Sequence, residues 1–139
     1  ITGRKGGIPV AVFLDPDCPY CKALQQQLTQ NQELEVHEFL MPIPELHPDA
    51  QTDSDNIWCS QDRARALVEV MSGETVNTKD AATCDISGLD KINQFALAHS
   101  FNATPILIRQ DGQIHFGYLS LSELTAWAMA SGTQEKTTT

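Results

Sequence analysis

The stretch Ile8-Pro9-Val10-Ala11-Val12-Phe13-Leu14-Asp15-Pro16-Asp17-Cys18-Pro19-Tyr20-Cys21-Lys22 decides the reading of this chain. Ile8–Leu14 is a short run of β-branched and aromatic residues, the pattern of a fully buried strand. Asp15-Pro16-Asp17 stops it. From Cys18 to about Gln30 the pattern becomes helical, with Leu24 and Leu28 on one face. Pro19 suits the first turn, where backbone N–H groups lack intrahelical partners anyway. Cys18 and Cys21 therefore lie one turn apart at the start of a helix, on neighbouring surfaces. Two such sulfurs can close a small disulfide with little backbone motion.

That placement gives the two cysteines different chemistry. Free N–H groups and the helix dipole favour negative charge at Cys18, so its thiolate is favoured over that of an ordinary cysteine. Cys21, deeper in the helix, is expected to be more buried. Cys18 would attack a substrate disulfide, and Cys21 would resolve the mixed disulfide that results. The intervening Pro19 and Tyr20 complete the redox motif. Asp17 has two open roles: a carboxylate opposing the neighbouring thiolate, or an N-cap for the helix.

Further along, Glu35–Leu40 reads as a second strand and the proline-rich 41–51 as a loop. Asp53 to about Met71 reads as one helix, with Ile57, Trp58, Ala64, Leu67, Val68 and Met71 at helical spacing. Glu74–Asp85 is polar and irregular. A helix follows, from Ser87 or Asp90 to about Ser100, with Ile92, Phe95, Ala96 and His99 as candidate inward residues. Then come a strand Ile106–Arg109, a turn at Asp111-Gly112, a returning strand Ile114–Tyr118, and a capping box at Ser120–Glu123. The box opens a last helix to about Ala130. Residues 1–7 read as a flexible lead-in, 8–131 as one α/β domain with a helical insertion at about 53–101, and 132–139 as a polar tail.

A βαβ unit followed by a ββα unit is the thioredoxin topology. In that context Thr104-Pro105, opening a strand, is expected to be cis. It would lie against Cys18–Cys21 and leave the Thr104 backbone free to pair with a substrate strand. The plainer alternative is a trans proline at the start of an edge strand.

The 139 residues suit one domain. Nine basic residues against eighteen acidic ones leave a charge of −9, which argues against nucleic-acid binding. No apolar run approaches a membrane span. The chain begins at Ile1 without an initiator methionine and reads as a mature or excised form. The other two cysteines, Cys59 and Cys84, are far apart. They are either a structural disulfide, closing a loop of about 25 residues and worth roughly 3–4 kcal/mol, or two buried free thiols. A disulfide would imply an oxidising compartment. A zinc site at Cys18 and Cys21 lacks a second ligand pair at suitable spacing, so no metal and no cofactor beyond the Cys18–Cys21 couple is expected. His37, His47, His99 and His115 read as ordinary surface or packing residues. Trp58 and Trp127 read as core.

The segment Val10–Lys22 resembles the active-site region of the DsbC/DsbG family of bacterial periplasmic disulfide isomerases. Ile57-Trp58-Cys59 and its charged continuation Ser60-Gln61-Asp62-Arg63 are similar to the family's insertion helix with its second cysteine pair, and Cys84 falls at the matching place. Ala103-Thr104-Pro105 resembles the family's Thr–cis-Pro, and Gly117-Tyr118 the strand end near the site. The resemblance spans about residues 8–130. It implies a periplasmic oxidoreductase acting on disulfide-containing proteins, with Cys59–Cys84 as a structural disulfide and an inner-membrane electron donor of the DsbD type. The dipeptide departs from the family: Pro19-Tyr20 stands where DsbC carries Gly-Tyr. It is also the glutaredoxin dipeptide, but glutaredoxins lack the insertion and the second pair. The family's dimerisation domain is not in this sequence, so the chain is expected to be monomeric. Two alternatives to a reductase or isomerase stand beside it: a net dithiol oxidase, and a redox-independent chaperone or assembly module.

Overall fold

The computed structural model describes residues 2–76 and 84–137, with the side chains of Thr2 and of 131–137 left aside. A five-stranded sheet has the order β1-β3-β2-β4-β5, from β1 (Thr2–Gly3), β2 (Ile8–Leu14), β3 (Leu34–Leu40), β4 (Ile106–Arg109) and β5 (Ile114–Phe116). The central β2 runs parallel to β3 and antiparallel to β4. The helix α1 (Pro19–Leu28) makes the crossover between β2 and β3, and α5 (Leu121–Thr137) follows β5. Three helices, α2 (Ala50–Trp58), α3 (Arg63–Met71) and α4 (Ser87–Ala98), fill the insertion between β3 and β4. The expected α/β thioredoxin-like arrangement with a helical insertion is therefore present.

Alternation along β2 explains the two-sided core. Val10, Val12 and Leu14 pack with Cys21 and Leu24 of α1, Leu67 and Val70 of α3, and Leu124 and Ala128 of α5. Phe13, on the opposite face, packs with Met41, Ala96, Phe101 and Ile106. Its ring stacks on Phe39 and Phe95 at centroid distances of 5.0 and 5.6 Å. Burying both faces of a strand is what permits the continuous apolar run of 8–14. Trp58 and Trp127 are half-buried against the first cluster, as expected.

Four expectations are corrected. Within the lead-in, Thr2 and Gly3 pair with Val36 and Glu35, extending the sheet by one short edge strand. The single helix of 53–71 is two helices. Asp62 caps the second by accepting the Arg65 N–H at 3.1 Å, and Arg63 Nε donates to the Trp58 carbonyl at 2.6 Å. Because each helix has its own phase, Ala66 and Val70 are buried while Ala64 and Val68 are exposed. On α4, Ala96 is buried but Phe95 and His99 are exposed, their rings stacked 4.1 Å apart. The last helix runs on to Thr137, past the expected end at Ala130. Residue 1, the 77–83 part of the irregular stretch, and 138–139 of the tail lie outside the described residues.

The local signals at the other junctions hold. Gly112 has φ +89° in the Asp-Gly turn, and Gly117, at φ +105°, ends β5 just short of Tyr118. The Ser120 N–H donates to Glu123 Oε1 at 3.1 Å while the Glu123 N–H donates to Ser120 Oγ at 3.3 Å. This reciprocal pair satisfies two otherwise unpartnered donors of α5. Cys59 and Cys84 form a disulfide, and Trp58 Nε1 donates to the Asp85 carbonyl beside it.

Candidate active site

The parallel β2 and β3 end at the same edge of the sheet, and the redox motif sits there. The Asp15 carbonyl accepts the Cys18 N–H at 3.1 Å, turning the chain from strand to helix. Cys18 is the N-cap of α1 and Pro19 its first residue. Of the two roles left open for Asp17, the cap is excluded: α1 has no side-chain cap bond. The Asp17 carboxyl instead faces Asp53 of α2. Burial, the neighbouring Asp17 carboxyl and repulsion from Asp49 push Asp53 up to about 6.

Both redox sulfurs are free thiols, with Cys18 5% and Cys21 1% exposed. The Thr104–Pro105 peptide is cis and brings the Thr104 carbonyl to 3.6 Å from Cys18 Sγ. Pro105 is buried, and its carbonyl accepts the Gly117 N–H at 2.9 Å, which ties this loop to the end of β5. The structure thus brings Cys18, Pro19, Tyr20, Cys21, Thr104 and Pro105 together. Cys59 and Cys84 lie apart on the insertion, bonded to each other.

The electrostatics divide the two thiols. Cys18 is lowered from 9.0 to about 5 by a hydrogen bond from the Cys21 thiol, then by Thr104 and by the backbone N–H groups of Cys21 and Tyr20, against an opposing effect of burial. Cys21 is pushed up, first by donating to Cys18 and then by its burial. One sulfur is held as a thiolate near neutral pH and the other as a thiol beside it, the asymmetry that stepwise thiol–disulfide exchange requires.

Sequence reasoning missed Asp15 and His47. In sequence Asp15 carries only the signal of a strand terminator and His47 that of an ordinary loop histidine. Asp15 is fully buried, and its Oδ2 lies 3.0 Å from His47 Nδ1. The other histidines keep ordinary roles. His37 bonds Glu35 on the sheet, and His115 packs edge-on against Trp127.

The rim is apolar. Tyr20 is 67%, Phe116 62% and Leu46 60% exposed. Tyr20 lies inside the motif, Phe116 pairs with Ile106 next to Pro105, and the Leu46 N–H donates to Ile43, whose own N–H reaches Asp15. Among the described residues, no helix is long and apolar enough to cross a membrane.

Comparison with known proteins agrees with this geometry. Residues 2–130 match the thioredoxin-like domain family. A probable thiol:disulfide interchange protein DsbC of Bordetella pertussis is 34% identical over 122 residues, 87% of this chain and 42% of that protein. The Escherichia coli K12 thiol:disulfide interchange protein DsbC is 29% identical over 119 residues, 83% of this chain and 48% of that one. The chain thus spans less than half the length of these relatives. Among solved structures, a disulfide interchange protein from Neisseria gonorrhoeae superposes with a TM-score of 0.73 at 31% identity, covering 89% of this chain and 87% of its own. Pseudomonas aeruginosa DsbA2 shares the fold, with a TM-score of 0.74 at 16% identity over 92% of this chain and 90% of that one. By sequence and by structure, the chain belongs to the thioredoxin-like domain family, and its kin there are the DsbC-type thiol:disulfide interchange proteins.

Proposed function

We propose that this chain is the catalytic unit of a thiol–disulfide oxidoreductase that reduces or isomerises disulfides in proteins of the bacterial periplasm. The carrying observation is the placement of Cys18 as the N-cap of α1, with the Cys21 thiol one turn behind it and its own sulfur 3.6 Å from the Thr104 carbonyl. The Cys18 thiolate attacks one sulfur of a substrate disulfide. The substrate S–S bond breaks, a Cys18–substrate disulfide forms, and the other substrate sulfur leaves as a thiolate. In reduction, Cys21 gives up its proton to that departing thiolate and attacks Cys18 Sγ. This closes the Cys18–Cys21 disulfide and frees the second substrate sulfur as a thiolate, which takes its proton from water. In isomerisation, another substrate thiolate attacks the mixed disulfide and returns Cys18 unchanged. Turnover as a reductase needs two electrons from an external dithiol donor, and a membrane donor of the DsbD type fills that role.

The Thr104 backbone beside the cis proline offers a substrate strand main-chain hydrogen bonds. Tyr20, inside the motif and exposed, gives an unfolded, apolar polypeptide a ring to lie against. The test is insulin reduction and refolding of a scrambled-disulfide substrate, with wild type and Cys18→Ala. Activity is expected only with Cys18 present, and equal activity in both proteins would refute the proposal.

One observation favours a second reading. A thiol with a pKa of about 5 stabilises the reduced form of the couple, which makes the disulfide more oxidising. The reduction potential separates the directions. A value near that of thioredoxin supports reduction, and one near that of DsbA supports net oxidation.

A further inference from the structure

Asp15 is a buried ionisable group beside the redox loop that the exchange steps above leave unused. It is 0% exposed, yet both carboxylate oxygens and its carbonyl are engaged. Oδ1 accepts the Asp17 N–H at 2.8 Å. Oδ2 accepts the Ile43 N–H at 2.8 Å and lies 3.0 Å from His47 Nδ1. Its carbonyl accepts the Cys18 N–H at 3.1 Å. One residue thus fastens the redox loop to the segment that follows β3. A carboxylate out of water costs several kcal/mol unless it is paired and hydrogen-bonded. Here two backbone N–H donors and the imidazole meet that need. Asparagine is no substitute, because its amide NH2 would face an N–H at Asp17 or at Ile43. The Cys18 thiolate depends on the backbone N–H groups of Tyr20 and Cys21, so the alignment of this loop reaches the reacting sulfur.

We propose that Asp15, seated by His47, is the positioning residue of the redox loop, and that its hydrogen bonds to Asp17 and Ile43 hold Cys18 in its reactive geometry. This rests on Cys18 being the attacking thiol. The sign of one measurement separates positioning from the alternatives. Removing a negative charge close to Cys18 would by electrostatics alone lower the Cys18 pKa. Loosening the loop raises it. A purely structural staple lowers the melting temperature and leaves the Cys18 pKa where it is.

The experiment is the pH dependence of Cys18 alkylation by iodoacetamide in the reduced chain, for wild type, Asp15→Asn, His47→Ala and His47→Gln, with a thermal melt of each. In Asp15→Asn the Cys18 pKa is expected to rise by about one unit from its value of about 5, which cuts the alkylation rate at a pH of about 5 roughly fivefold. His47→Ala is expected to rise by less, and His47→Gln, whose amide can again donate to Asp15, to return towards wild type. An unchanged or lowered Cys18 pKa in Asp15→Asn overturns the proposal. His47 is 22% exposed, a site that tolerates truncation. Should Asp15→Asn fail to fold, an unchanged pKa in His47→Ala overturns the proposal in its place. Full exchange activity in Cys18→Ala would instead defeat the reading on which this one rests, and that outcome is scored separately from the alkylation profile.

Discussion

Replacing Cys21 by alanine tests the central electrostatic claim. The Cys21 thiol is the largest of the influences that hold Cys18 at about 5 instead of 9.0. A hydrogen bond to a charged group contributes about 1.5–3 kcal/mol. At 1.36 kcal/mol per unit this is about 1–2 pKa units. Cys18 in Cys21→Ala should therefore titrate at about 6–7, with Thr104 and the helix N–H groups supplying the remainder. The assay is the ultraviolet absorbance of the thiolate as a function of pH, checked by alkylation rates. A midpoint still near 5 would refute the reasoning and place the acidity in the helix terminus alone.

The same claim carries a linkage consequence in the wild type. The folded-state pKa of Cys18 is depressed, so its contribution to the reduced form is complete above the unfolded value near 9. It is lost as pH falls through about 5. The disulfide form has no such ionisation. The stability of reduced over oxidised protein should therefore climb from about pH 5 to about pH 9. Cys21, raised above its ordinary value, acts only beyond that window, and Asp53 titrates in both forms and cancels.

Two further outcomes are expected. Replacing Cys59 and Cys84 by serine opens a loop with a sequence separation of 25 and should cost about 3–4 kcal/mol, or about 10 °C in Tm, at unchanged activity per folded molecule. Loss of activity without a fall in Tm would contradict its structural role. Asp17→Asn removes a charge facing Asp53 and leaves a donor in its place, so Asp53 should titrate below its present value of about 6 by carboxyl NMR. The stability otherwise lost as pH rises from about 4 to about 6 should shrink accordingly. An unchanged or higher Asp53 value would show that Asp17 does not face it.

The sequence by itself determined what is written within a few residues. The strand Ile8–Leu14 and the start of α1 at Cys18-Pro19 follow from side-chain patterning and from proline's tolerance in a first turn. The Asp111-Gly112 turn and the Ser120–Glu123 capping box follow from equally local chemistry. The break between α2 and α3 was also written locally, at Asp62, but the apolar repeat across it hid the cap. Tertiary structure decided what depends on distant partners. Cys18 meets Thr104 across 86 positions and Asp15 meets His47 across 32, and no periodicity encodes such pairs. Asp15 in sequence is a polar residue after a strand. Only packing removes it from water and obliges it to gather donors from two segments. The sequence placed the redox sulfurs at a helix start, and the folded chain set their unequal acidities, because hydrogen bonds and burial act through space and not along the chain.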